Sequence, residues 1–241
     1  MKTLSRDAIK YIAMFTMLLN HIAHVFLTRG TLAYELLEDI GYFTAPVMCF
    51  FLVEGYLHTR SKFKYGCRLF FFAILSQWPY LLAFHFGNLN MFFTLFCSFL
   101  ILVVLERVDS YLLQNILFVL LILATVIGDW AVIAPLLTLL LAKNWEDKGR
   151  MWASYVGSAL LFAALNVMDY LVRQPAGLSV LTVCRALFSG IGILAAGAAV
   201  LVLYNGQRAK RGQTFSKWFF YFFYPGHLFI LYLIKISLHN I

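Results

Sequence analysis

Apolar runs of about 17–22 residues recur from one end of the chain to the other, separated by short polar or glycine-containing stretches. At about 1.5 Å of rise per residue, most of these runs are long enough to cross ~30 Å of hydrocarbon as a helix. The pattern predicts an all-α, polytopic transmembrane bundle of about nine spans at 8–28, 40–58, 66–85, 90–106, 111–127, 129–143, 150–172, 180–205 and 216–238. The fifth and sixth runs are divided only by Gly128-Asp129-Trp130, with Pro135 following.

Charge placement decides between eight and nine spans. With the N-terminus on the cytoplasmic side and nine spans, 15 of the 19 Lys and Arg residues fall on that side. This is the bias expected of cytoplasmic loops. Merging the runs around Asp129 would move the basic stretches 143–150 and 206–217 to the other face. The expected orientation is therefore N-terminus cytoplasmic and C-terminus external, in the cell membrane. After the first run the external side is acidic, with Glu35, Glu38 and Asp39 close together.

Composition agrees with a membrane chain forming one integral domain over 1–241: 62% of residues are apolar and 12% are charged. A soluble domain carries roughly twice that charged share. The net charge of +8 lies in short loops without interleaved aromatics, so it reads as topology and not as a nucleic-acid surface. Cys49, Cys67, Cys97 and Cys184 all fall in or at apolar runs and read as small packing residues, so neither a disulfide set nor a metal site is expected. The polar Asn20-His21 pair interrupts the first run where a signal peptide needs an unbroken apolar core, which marks a retained helix.

Ionisable groups at membrane depth are the candidates for chemistry. Counted from the cytoplasmic end of each run, His21 lies about 20 Å up the first span, and His227 and Gln77 about 16 Å up the ninth and third. Tyr224 is one turn below His227. These side chains define an imidazole-bearing layer near the midplane. Asn20 and His24 flank it and, with Gln77, are the candidate acceptor contacts. A second level lies near the cytoplasmic surface: Lys10, the i,i+4 pair Glu54 and His58, and Arg60, Lys64 and Arg68. Lys10 and His21 are eleven residues apart, hence on one helix face and roughly 16 Å from each other. That separation is about the reach of an extended pantetheine arm. A phosphate-bearing head on the basic cluster would deliver a thioester to His21.

A membrane histidine can also simply bond a neighbouring helix, and for His24 and His85 that role is the simpler one. Positive-inside topology alone accounts for a basic loop. The residues by themselves therefore indicate a membrane enzyme or a transporter with a cytoplasmic anion site.

Three blocks carry a resemblance. They are "KYIAMFTMLLNHIAHVF", then "GYFTAPVMCFFLVEGYLHTRSKFKYGCRLFFFAILSQWPY" with "LNMFFTL", and the C-terminal "LYNGQRAK" with "WFFYFFYPGHLFILYL". Together they resemble the TraX family, membrane proteins associated with N-acetylation of pilin. The first helix is also similar to the wider acyltransferase-three-like superfamily, where a basic residue, ten intervening residues and a histidine carry acyl transfer. Lys10 and His21 have that spacing. At one position the chain departs: the family places Asp before the histidine, and here it is Asn20.

The resemblance implies a membrane acetyltransferase that takes acetyl from cytoplasmic acetyl-CoA, with no metal. Its acceptor would be an amine of a peptide, a pilin-like protein or another small molecule at the membrane or outer side. His21 would act as base or acyl carrier, assisted by His227 and Tyr224. The alternative is a proton-coupled transporter using Glu54 and the midplane histidines.

Overall fold

A computed structural model describes residues 3–84, 87–173 and 180–239 of the chain; His85 lies outside the described residues. Among the described residues the regular structure is helical: α1 Arg6–Phe26, α2 Leu32–Gly41, α3 Thr44–His58, α4 Lys62–Phe84, α5 Met91–Arg107, α6 Tyr111–Ala124, α7 Ile133–Lys143, α8 Lys148–Arg173, α9 Val180–Ser189, α10 Ile191–Ala198 and α11 Gln213–His239. Helix is found at each of the nine apolar runs. Among the described residues, six stretches are long and apolar enough to cross a membrane: Arg6–Phe26, Leu32–His58, Lys62–Phe84, Lys148–Val172, Thr182–Leu203 and Gln213–Leu238. Helices α5, α6 and α7, with 17, 14 and 11 residues, are shorter.

Local sequence explains the helix boundaries. Ser5, Thr31, Asn90 and Ser110 each place a side-chain oxygen on a free amide in the first turn of α1, α2, α5 and α6. The second apolar run is preceded by helix: α2 starts at Leu32 and joins α3 through Tyr42 and Phe43. The acidic residues that kept α2 out of the apolar pattern lie on a polar face, whereas Tyr34 on the same helix is buried. The eighth run breaks at Gly190 and ends in a widened turn at Ala199–Leu203.

The shortness of α5 to α7 follows from two connections that fold back against the bundle. Leu89 N–H donates to Ile127 O at 2.7 Å, and Asp129 N–H donates to Leu89 O at 2.8 Å. Gln77 ties the first connection to α4, accepting from Asn90 N at 3.0 Å and donating to Asn88 O at 2.9 Å. Thr94 donates to Asp129 O at 2.6 Å. Irregular backbone among membrane helices needs such partners, because lipid offers none. The second connection holds Val132 at φ 62°, a left-handed conformation a β-branched residue rarely adopts.

Helix α3 has no polar stripe and is buried nearly all round, as its sequence TAPVMCFFLVEGYLH requires. It packs with α1, α5, α7 and α10 around one core that includes Ile9, Phe51, Phe72, Leu137 and Ile193. Helix α6 fully buries only Phe118, packs Leu121 and Ile122 beside it, and turns Leu112, Leu113, Ile116, Val119, Leu120 and Leu123 outward. Such faces suit contact with lipid.

Gly192 shows how tight the packing is. A Cβ there would lie 2.8 Å from Tyr42 Cβ and 2.9 Å from both Asp39 O and Phe43 N. Two of these atoms are backbone and cannot rotate away. Gly192→Ala is expected to lower stability by about 1–3 kcal/mol, read as a lower melting temperature in detergent. A wild-type melting temperature would mean that α10 slides off the α2–α3 junction at little cost.

Candidate active site

One face of α1 carries Lys10, Met14, Met17 and His21 in successive turns, and one face of α11 carries Lys217, Phe220 or Tyr221, Tyr224 and His227. The two helices pack together, so the faces converge. Between them, α3 and α4 lies a cavity of about 340 Å³, within the ~300–1,000 Å³ typical of small-molecule sites. Its mouth, at the basic end of the bundle, carries Arg6, Lys10, His58, Arg68, Arg208 and Lys217. Phe51, Phe92, Phe220 and Tyr221 line its walls, and Met91 and Tyr224 close its deep end.

The cations at the mouth differ in what neutralises them. Arg6 Nε lies 3.4 Å from Glu54 Oε2, and Tyr204 donates to Glu54 Oε1 at 2.8 Å. Lys10 Nζ instead sits over the rings of Phe51 and Phe220, 5.4 and 5.1 Å from their centroids. The Arg68 guanidinium lies 5.5 Å from the Tyr65 ring centroid, and its buried Nε has no hydrogen-bond acceptor. Among the described residues, neither Lys10, Arg68 nor Lys217 has a carboxylate in ion-pair range. Asp7 also lines the cavity, where its Oδ2 accepts from Ala209 N at 2.6 Å, but the cations of the lining outnumber it, and that excess favours an anionic ligand there.

Beyond Tyr224 lies the histidine pair. His21 Nδ1 is 2.6 Å from His227 Nε2, and each residue is 6% exposed. The Tyr224 ring centroid is 6.0 Å from that of His21 and 5.8 Å from that of His227. The Tyr224 hydroxyl accepts from Met91 N–H at 3.3 Å. Pro225 follows in the helix and donates no backbone hydrogen bond, which loosens the ladder beside the pair.

The other residues expected at the site are dispersed. Glu54 turns to Arg6 and Tyr204 and does not line the cavity, while Arg60 and Lys64 are exposed away from it. Asn20 donates to Glu38 O at 3.1 Å and packs on Gly41, clasping α1 to α2. Gln77 holds the connection before α5. His24 Nδ1 lies 2.9 Å from the Tyr34 hydroxyl, and its Nε2 is 3.5 Å from Glu38 Oε1. Arg6, Arg208 and Lys217 join the mouth, beyond the residues that the sequence pattern points to. Arg6 was legible, since it shares a face with Lys10 at i,i+4. Arg208 was not: the 204–209 segment is drawn in by backbone bonds of Leu4, Asn205, Arg6 and Gln207 and by Asp7 accepting from Ala209 N.

A second cavity, of about 420 Å³, opens at the opposite end. Glu35, Glu38, Asp39 and Asp169 line it together with Arg29, Arg185 and Tyr42. Arg29, in the loop after α1, donates to the Tyr34 hydroxyl at 3.1 Å, a bond that raises its already high pKa. Tyr34 and Glu38 connect this wall to His24, one turn beyond His21. No group of three or more potential metal ligands occurs among the described residues.

These features define an all-helical membrane protein with a basic, aromatic-walled cavity at one end of the bundle and a buried histidine pair beyond it. The sequence model of the TraX protein family matches residues 5–235, and the chain belongs to that family. It is also 31% identical, over 237 aligned residues covering 92% of each chain, to the probable fimbrial assembly protein FimC, serogroup H1, of Dichelobacter nodosus. No solved structure gives a significant match.

Proposed function

We propose that the protein is a membrane acetyltransferase that passes acetyl from cytoplasmic acetyl-CoA to an amine. One observation carries the reading: cations without carboxylate partners stand at the mouth of a cavity closed at its deep end by Tyr224, and behind that ring, outside the cavity lining, lies the His21–His227 pair. The coenzyme's phosphates would lie on Lys10, Arg68, Arg208 and Lys217, and its uncharged arm would run along Phe51, Phe220 and Tyr221 toward Tyr224.

In direct transfer the neutral amine attacks the thioester carbonyl and a carbon–nitrogen bond forms. The proton released from nitrogen passes to His21, the carbon–sulfur bond breaks, and the departing thiolate takes that proton as the coenzyme thiol. An amine with a pKa near 8 is mostly protonated at neutral pH, so the acceptor itself must first lose a proton. The carboxylates of the second cavity would attract the ammonium form. The fimbrial assembly name of the relative supports a pilin-like N-terminus as acceptor. Glu54 is held by Arg6 and Tyr204, away from the histidines, an arrangement that favours the enzyme over a proton-coupled carrier.

The test is purified protein given labelled acetyl-CoA and a peptide with a free N-terminus. Acetyl-peptide is the expected product. Absence of both transfer and thioester hydrolysis above background would overturn the reading.

In this reading all nine helical passes cross the cell membrane, with the N-terminus cytoplasmic and the C-terminus external. Impermeant labelling of single cysteines should therefore modify a site placed after Leu238 in intact cells, and sites in 59–62 or 206–212 only after permeabilisation. Protection of the C-terminal site would remove one crossing, most simply by pairing α6 with α7 as a re-entrant hairpin.

A further inference from the structure

The hydrogen bonds around the two imidazoles determine where their protons sit. His227 Nδ1 is 2.7 Å from Phe223 O. A carbonyl oxygen only accepts, so His227 Nδ1 carries the hydrogen. A neutral imidazole has one N–H, which leaves His227 Nε2 a bare lone pair. That lone pair faces His21 Nδ1 at 2.6 Å, so His21 Nδ1 must donate. His21 Nε2 is then the unprotonated nitrogen.

The ring geometry agrees. The two planes are parallel within 4° and the centroids lie 4.9 Å apart. With nitrogens only 2.6 Å apart, this spacing leaves one ring radius at each end. The rings therefore lie end to end in a common plane and not face to face, which points the His21 N–H along the His227 lone pair. His227 is itself held, its ring stacked on Phe223 at 4.7 Å.

We infer that His227 is a positioning residue that holds His21 in its Nδ1–H tautomer and makes Nε2 the nitrogen that receives the proton or the acetyl group. Its catalytic meaning rests on the acetyl-transfer reading; the tautomer itself does not. Free imidazole side chains favour the Nε2–H form, so the arrangement reverses the default. When Nε2 takes a proton, the hydrogen bond from Nδ1 to His227 spreads the new charge without exposing it to lipid. A histidine in the wrong tautomer costs serine-protease triads about 10⁴-fold in turnover.

Two measurements test the inference. In ¹⁵N-histidine-labelled protein in nanodiscs, with signals assigned by difference from His21→Ala, His21 Nδ1 is expected at a protonated shift and Nε2 at an unprotonated one. A protonated Nε2 in the wild type would overturn the inference. In the transfer assay, His227→Leu is expected to lower kcat at least tenfold with donor KM unchanged, and His227→Gln to recover much of it. Glutamine supplies both a carbonyl to accept from His21 and an amide to donate to Phe223 O. Equal activity of the leucine and wild-type proteins would also overturn it. Should the expected tautomer appear in a protein that transfers no acetyl group, the inference about His227 stands and the functional reading falls. Active protein with a protonated Nε2 would do the opposite, removing the inference and leaving the functional reading in place.

Discussion

Replacing His21 with alanine is expected to lower acetyl transfer by about 10²–10⁴-fold, the usual cost of a lost general base, while donor binding stays near wild type. The separation of the two effects follows from position. The cations proposed to hold the donor line the cavity mouth, whereas His21 lies beyond its deep end next to Tyr224. Loss of the imidazole also leaves His227 Nε2 without its partner, so a melting curve must accompany the assay. If imidazole carries the acetyl group as well, the loss is greater, and protein incubated with acetyl-CoA alone should show a labile acetyl adduct on His21 by mass spectrometry. His24→Ala is expected to be milder, because His24 bonds Tyr34 and Glu38 on the outer side. A folded His21→Ala protein with near-normal transfer would sink the assignment and pass the role to His227.

Removing Lys10 or Arg68 is expected to weaken acetyl-CoA binding by about 1.5–3 kcal/mol each, the range for a lost hydrogen bond to a charged group. That corresponds to a Kd roughly ten- to a hundredfold higher. Both side chains line the cavity without a carboxylate partner, so an anionic ligand would supply what the protein does not. Binding should also weaken as salt rises. Arg60 provides the contrast, since it is exposed and off the cavity, and Arg60→Ala should change affinity little. Calorimetry with the three variants decides the matter. Equal affinities throughout would return the cluster to a topological signal.

The sequence by itself determined the helical membrane class, the position of most helices, though not of α2 or of the break at Gly190, and the candidate standing of His21 and His227. These properties rest on single runs of residues: an apolar stretch of membrane length, and an imidazole costly enough at depth to stand out within it. The row from Lys10 through Met14 and Met17 to His21 was legible for the same reason, because helical periodicity alone puts those residues on one face. Partnership between helices was not legible. Which nitrogen of His21 meets which nitrogen of His227 depends on how α1 packs on α11, through residues 206 positions apart. Equally, nothing local distinguishes Arg68, which faces the cavity, from Arg60, which does not. Nor does anything local show that Asn20 and Gln77 are used up in holding α2 and the connection before α5. A polar side chain inside a membrane bundle must find a partner wherever packing brings one, and only the tertiary structure decided which of them were left for chemistry.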